Sequence, residues 1–377
     1  MFKDKKYYDV YIYIFLAISS FCINFYVGSN GVFPVDTFIH YDNGYRILLG
    51  DVPIKDYWIV HGFIIDYMQA IFFKIFGNNW YSYLIHSSLF NVIITIFSYY
   101  IFKFLKVDTS FAFILSISIS ILAYPVSGTP FLDLHSTYFS LLATYFIILG
   151  VVRDENSYWL FGSILLCLAF FSKQVPAAYT IFGLSFVCLF ISISEKKFNI
   201  LIYFILGATL FLFLFLLFLK FNEIKFFDFV LQIFLSPSTI GTSRYDLYDL
   251  SFKNVILDFK FIYVILIPII LINLNKLIKE KKYYKSKDFK IFLIISVFSL
   301  STLIHQIYTK NQIYIFSLIP ILSGFFLYYI QSNSFKFKKF YIYLVIFFCI
   351  FVTFKYHIRF NDERKFHELS NVNISNN

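Results

Sequence analysis

The chain has 377 residues, of which 59% are hydrophobic and only 14% charged, with a mean hydropathy of +0.72. Soluble domains carry about 25% charged residues, so this composition excludes an ordinary soluble core and points to a membrane protein. A formal charge of +10 would suggest nucleic acid as the partner of a soluble protein. Here the lysines cluster in short loops between apolar runs, which is a topology signal, and no nucleic-acid partner is expected.

A helix needs about 20 apolar residues to cross the hydrocarbon layer. By that measure the chain is all-α and polytopic, a single integral membrane domain over 1–377 without a soluble domain. About eleven spans are expected, at 9–28, 82–102, 109–127, 136–152, 158–175, 177–194, 198–219, 258–275, 290–308, 311–330 and 340–356. The opening MFKDKKYYDV and the apolar run to Val27 are too long for a cleaved leader, and no A-x-A site follows, so this is a retained first span. Cys22, Cys167, Cys188 and Cys349 fall inside apolar runs without metal-ligand spacing and read as small buried hydrophobes.

With the N-terminus cytoplasmic, the basic clusters Lys3, Lys5 and Lys6, Lys103 and Lys106, Arg153, Lys196 and Lys197, Lys276 to Lys290, and Lys336 to Lys339 all fall in inside loops. Every long or motif-bearing loop then lies on the other side: 29–81, 127–135, 220–257, the Gln306 to Gln312 turn and the tail after Tyr356. This distribution predicts a non-cytoplasmic active face.

The first of these loops holds the most polar stretch, Pro34 to His61, PVDTFIHYDNGYRILLGDVPIKDYWIVH. Thr37 to Leu49 places Phe38, Tyr41, Tyr45, Leu48 and Leu49 at helical spacing and closes at Gly50. Gly62 to Phe76 is a second, more apolar helix ending at Gly77. Both are expected to lie in the membrane interface. Taken locally, Asp36 is a helix N-cap, Asp42 lies on nearly the opposite face, Asp51 is a turn residue and Asp56 opens the next segment.

The second outer loop, SGTPFLDLHS, carries Asp133 and His135 with no basic neighbour. A carboxylate at a helix mouth has to be solvated, paired or functional. Asp133 could act alone in acid–base chemistry, join His135 and a first-loop carboxylate around a metal, or cap its loop. Lys173 is either a lysine snorkelling to the interface or a cation for a lipid phosphate. Arg244, in SPSTIGTSRYDLYD, with His305 and Lys310 could serve the same phosphate, and the 220–257 loop suits a substrate-covering segment.

No Asp, Glu, Lys or Arg lies in the middle of an expected span, which counts against ion-coupled transport. A phosphate-cradling Gly-rich loop, Gly-x-Ser-x-Gly, His-Glu-x-x-His and CxxC are all missing. No cofactor is required by the sequence, and a divalent metal has no specific support in it.

The pattern Asp36-x13-Gly50-x-x-Pro53-x-x-Asp56-Tyr57-Trp58-x-x-His61-Gly62, followed by an apolar helix ending Phe76-Gly77, resembles the C-type membrane glycosyltransferases. Within them it is similar to the bacterial group akin to protein O-mannosyltransferases and lipid A aminoarabinose transferases. Asp133 and the pair Lys173-Gln174 fit the same resemblance, which covers roughly residues 10–195. It implies transfer of a sugar from a polyprenyl-phosphate donor to a hydroxyl of a lipid, glycan or protein acceptor at the outer face, by an inverting displacement. The catalytic carboxylate of such families stands just after the first helix, at Asp36 here, with Asp133 as a second carboxylate. Lys173, Arg244 and Lys310 are then expected at the donor phosphate, and Asp42, Asp56, His61, His135 and His305 around the substrates. Many relatives carry a second acid directly after the first; this chain has Thr37 there, which shifts interest to Asp42 and Asp133. The alternative is a polyprenyl-lipid or polysaccharide transporter, or a glycan assembly protein, without transferase chemistry.

Overall fold

A computed structural model describes residues 2–31, 36–243, 249–332 and 336–363. They form fifteen α-helices, α1 (Phe2–Ser29), α2 (Thr37–Leu49), α3 (Ile64–Phe76), α4 (Trp80–Phe104), α5 (Thr109–Leu122), α6 (Leu132–Arg153), α7 (Ser157–Phe170), α8 (Gln174–Glu195), α9 (Phe198–Phe221), α10 (Phe226–Val230), α11 (Ser236–Ser243), α12 (Lys260–Lys279), α13 (Lys287–Thr309), α14 (Leu318–Gln331) and α15 (Lys338–Glu363). Among the described residues there is no strand, only an isolated bridge between Pro53 and Tyr57. The chain is an all-α integral membrane protein.

Ten of the helices are long and apolar enough to cross a membrane. The expected span 158–175 is the exception. Its helix, α7, has 14 residues, about 21 Å at 1.5 Å per residue, short of the roughly 30 Å hydrocarbon layer. It still runs the length of α6. Trp159, near its start, packs on Gly150 at one end of α6, and just past its end the Lys173 carbonyl accepts a hydrogen bond from Ser136 Oγ, 3.1 Å, at the other. The chain therefore returns beside α6 through a helix shorter than the ten long ones.

Burial follows side-chain size. α6 carries Ser136, Thr137, Ser140, Ala143, Thr144 and Gly150, small residues that let neighbouring backbones approach, and 83% of its apolar window is enclosed. α9 is mostly Phe, Leu and Ile, and only 22% of its window is covered. Such an apolar exterior is stable only against lipid.

Among the described residues the ion pairs between helices sort to the two ends of the bundle, while neutral hydrogen bonds such as Ser20–Thr95 at 3.0 Å and Ser98–Tyr145 at 2.9 Å join helices along their length. At the lysine-rich end, Lys197 bonds both Asp154 oxygens at 2.7 and 2.6 Å, Lys287 donates to the Val152 carbonyl at 2.7 Å, and Lys290 pairs with Glu195. The opposite end collects the segment 36–79, the 127–131 turn, Lys173, the 222–235 segment and the α13–α14 turn.

At that end α2 covers Thr37–Leu49, as its spacing predicts. Gly50 closes it at φ 106°, sending its N–H back to the Arg46 and Ile47 carbonyls. Its orientation is the reverse of a helix in a water-soluble protein. Thr37, His40, Asn43 and Gly44 are buried, while Phe38, Tyr45, Leu48 and Leu49 are exposed. Where the surroundings are apolar, the polar stripe gains by turning inward, provided it finds partners there.

Segment 50–63 is not a loose interfacial loop, because a separate small core pins it. Ile54, Tyr57, Ile59 and Phe63 pack with Phe171, Phe215, Leu219 and, from the 222–235 segment, Ile224, Phe229 and Ile233. Gln232 reinforces this contact, accepting from Ile59 N–H at 3.0 Å and donating to the Ile54 carbonyl at 2.9 Å. Gln174 donates to the Val60 and Ile233 carbonyls at 3.4 and 3.0 Å. Gly62 makes the closest approach: a Cβ there would lie 1.7 Å from the Phe171 carbonyl oxygen. Gly62→Ala must therefore push the segment off α7. It is expected to destabilise the protein by at least the ~1–3 kcal/mol typical of overpacking. Gly241→Ala, where nothing lies within 4 Å, should be neutral. Thermal unfolding of the two variants in detergent checks this, and equal melting temperatures would contradict it.

Candidate active site

Three helix ends meet at one buried carboxylate. Asp133 lies in the first turn of α6, where the helix N-terminus favours negative charge. Its Oδ2 accepts from Lys173 Nζ at 2.6 Å, and its Oδ1 bonds His305 Nε2, on the last turns of α13, at 3.1 Å. Asp133 is 4% exposed, and the Lys173 side chain keeps 23% of its surface open. An ammonium has three donor hydrogens, so Lys173 can hold Asp133 and still address a second anion. Asp133 is differently placed, because both its oxygens are engaged.

Asp36 stands beside this cluster with opposite properties. It occupies the N-cap position of α2, yet its side chain makes no capping hydrogen bond, and its backbone is already helical at φ −58°, ψ −11°. The local explanation for an aspartate at this point is therefore not realised, and the carboxylate is exposed. The adjacent Thr37 ties this end of α2 to the second outer turn: its Oγ1 bonds Thr129 Oγ1 at 2.7 Å and donates to the Pro130 carbonyl at 2.9 Å, three residues before Asp133. Tyr83 OH closes the knot by donating to the Thr37 carbonyl. Tyr314, in the turn Gln312–Ile315, packs on Phe131 with ring centroids 4.9 Å apart. It lies near enough to both Asp133 and Asp36 for each carboxylate to act on it electrostatically. Asp36, Asp133, Lys173, His305 and Tyr314 thus share one neighbourhood at the loop-bearing end.

Behind it runs a buried polar seam. Asp66 on α3 is fully enclosed and bonds His40 Nδ1 at 2.8 Å and Asn43 Nδ2 at 3.1 Å, with His61 Nδ1 at 4.0 Å. His61 Nδ1 donates to the Gly62 carbonyl at 2.8 Å. Burial lowers its pKa below the ordinary histidine value, against the opposing pull of Asp66, so the ring is held neutral. Further in, Gln69 Oε1 bonds His86 Nδ1 at 2.9 Å, His86 Nε2 bonds His135 Nε2 at 3.1 Å, and His135 Nδ1 meets Tyr124 OH.

The other residues singled out from the sequence are distributed as follows. His135 is completely buried with both ring nitrogens engaged, which leaves neither for a substrate or for a metal shared with Asp133. Asp56 is exposed but closes a turn, accepting from Val52 N–H at 2.7 Å. Asp51 lies 3.6 Å from Arg46 across the α2 C-cap. Asp42 points out from the exposed side of α2. Lys310 is exposed at the C-cap of α13, where its charge acts on Asp249. Arg244 lies outside the described residues. Sequence patterning passed over His40, Asp66 and Tyr314. For Asp66 the signal was present, since a lone carboxylate in an apolar helix needs buried partners; for Tyr314, one tyrosine among 31, there was none.

Residues 60–221 match the dolichyl-phosphate-mannose-protein mannosyltransferase family. No curated protein matches the chain. The matched segment opens just before His61 and takes in Asp66, Asp133 and Lys173, together with helices α3 to α9. Over residues 60–221 the chain is therefore similar to the dolichyl-phosphate-mannose-protein mannosyltransferase family, a likeness that supports a membrane glycosyltransferase of the C-type superfamily.

Proposed function

We propose that this protein moves a sugar from a polyprenyl-phosphate donor to a hydroxyl of a lipid, glycan or protein acceptor, with Asp36 as the general base. The observation that carries this reading is the unused Asp36 carboxylate, exposed at its N-cap position beside the Asp133–Lys173–His305 cluster. Asp36 takes the proton of the acceptor hydroxyl, and the acceptor oxygen attacks the anomeric carbon. The bond from that carbon to the phosphate oxygen breaks with inversion, and polyprenyl phosphate leaves carrying the negative charge. Lys173 supplies donors for that charge in a site that is partly dry, where such interactions count most. Asp133, with both oxygens engaged, is a positioning residue that holds Lys173 and His305 toward the phosphate. The 222–235 segment, clamped to segment 50–63 through Gln232, would cover the bound substrates. Transport is the weaker reading, because it leaves the Asp36 carboxylate without a role.

The lysine-rich end faces the cytoplasm in this proposal, with the site at the outer face of a bacterial inner membrane. Trp58, 57% exposed at the loop-bearing end, offers a probe of that orientation. Trp58→Cys in whole cells should react with a membrane-impermeant maleimide, and labelling only after lysis would reverse the topology.

Asp36→Asn should abolish transfer while leaving expression and membrane insertion intact. Glycan profiling of the cell envelope should then show the same missing residue as a strain lacking the gene. A wild-type profile in the Asp36→Asn strain would remove Asp36 as the base.

Lys173→Met leaves Asp133 buried without its cation, and breaking such a pair costs about 3–5 kcal/mol. Combining it with Asp133→Asn should recover most of that stability. Transfer should remain depressed about 10²–10³-fold, the range for losing one donor to a developing charge. A stable double variant with wild-type turnover would rule Lys173 out at the phosphate.

A further inference from the structure

We propose that His40, His61 and Asp66 form a binding site for one divalent cation of the zinc class, which clips α2, the 59–63 segment and α3 together one helical turn from Asp36. One ligand atom from each of the three side chains lies within 4.8 Å of the other two, and all three residues are buried. Two imidazoles and one carboxylate suit zinc or a neighbouring transition metal; calcium and magnesium prefer all-oxygen shells.

His40 is fully buried and turns Nδ1 to within 2.8 Å of Asp66 Oδ1, so Nδ1 is the nitrogen that a cation shared with Asp66 would take. His61 gives its Nδ1 proton to the Gly62 carbonyl, which leaves a lone pair on Nε2. Asn43 donates to Asp66 Oδ2 at 3.1 Å, the outer-shell support that orients metal-binding carboxylates. The two imidazole rings stand 5.0 Å apart at 70°, so they do not stack face to face and can turn their nitrogens toward a common point. In a tetrahedral zinc site with bonds of about 2.0–2.1 Å, ligand atoms lie roughly 3.3 Å from one another. A contraction of about 1.5 Å by side-chain rotation would meet that. Three protein ligands leave the fourth position to water.

This cation does not take part in transfer. It fixes how α2 presents Asp36, so the inference stands whether or not Asp36 is the base. The competing account is a metal-free His–Asp hydrogen bond between two helices.

The full-length chain in detergent, stripped with a chelator and then equilibrated with Zn²⁺ or Co²⁺, distinguishes the two. About one tightly held metal per chain by elemental analysis is expected, together with the intense visible absorption of four-coordinate Co²⁺. Zn²⁺ should raise the melting temperature of the stripped protein. His61→Gln, a conservative change at the end of the segment, should elute as a folded species, lose the Co²⁺ spectrum and show no Zn²⁺-dependent melting shift. His40→Ala should weaken binding at least tenfold. His357→Ala, in α15, should behave as wild type. Substoichiometric metal in the wild type, or a Co²⁺ spectrum and melting shift that persist in folded His61→Gln, would overturn the site.

Discussion

The buried pair between Asp133 and Lys173 is the contact on which the loop-bearing end depends. It joins the start of α6 to the start of α8, and through His305 it reaches the end of α13. A carboxylate withdrawn from water requires a cation and hydrogen bonds to be tolerated at all. Three helices distant in sequence are thereby held to one arrangement of their ends. The same demand for satisfaction gives the arrangement its chemistry, because a lysine committed to one anion keeps donors for another.

Around that point the membrane setting inverts the usual packing rule. α2 turns Phe38, Tyr45, Leu48 and Leu49 outward and buries Thr37, His40 and Asn43. In water this would be costly; beside lipid it places polar groups where other polar groups can meet them. Thr37 then bonds the 127–131 turn, His40 and Asn43 bond Asp66, and Gln69 continues the seam to His86 and His135. The interior of this protein is polar at one end because its exterior cannot be.

The segregation of ion pairs to two ends has the same origin. Charged groups are held near the termini of the spans because mid-membrane charge is expensive, so ion pairs such as Lys197–Asp154 and Lys173–Asp133 mark opposite rims. Apolar contacts and neutral hydrogen bonds such as Ser98–Tyr145 fill the space between. The segment 50–63 escapes the disorder usual for a long loop through its own core around Phe171 and Phe215, and through the amides of Gln174 and Gln232.

By itself the sequence determined the all-α membrane architecture, the ends of α2 at Thr37 and Gly50, and the collection of long loops on one side. These features follow from local hydropathy, helical period and turn chemistry, which short windows of residues carry. It also singled out Asp36, Asp133, Lys173 and His305, because charged or titratable groups at the mouths of apolar spans stand out by composition alone. The tertiary structure alone decided which of them touch. Asp133 and Lys173 are 40 residues apart, and Asp133 and His305 are 172 apart; no period or motif links them, only the packing of α6, α8 and α13. It also separated Asp133, locked on both oxygens, from Asp36, whose capping role exists on paper and not in the fold. It drew His135 into the interior, and it brought His40 and His61 to Asp66, a residue whose importance lies in its burial. Partner choice among buried polar groups is settled by which helices pack together, and local sequence does not contain that information.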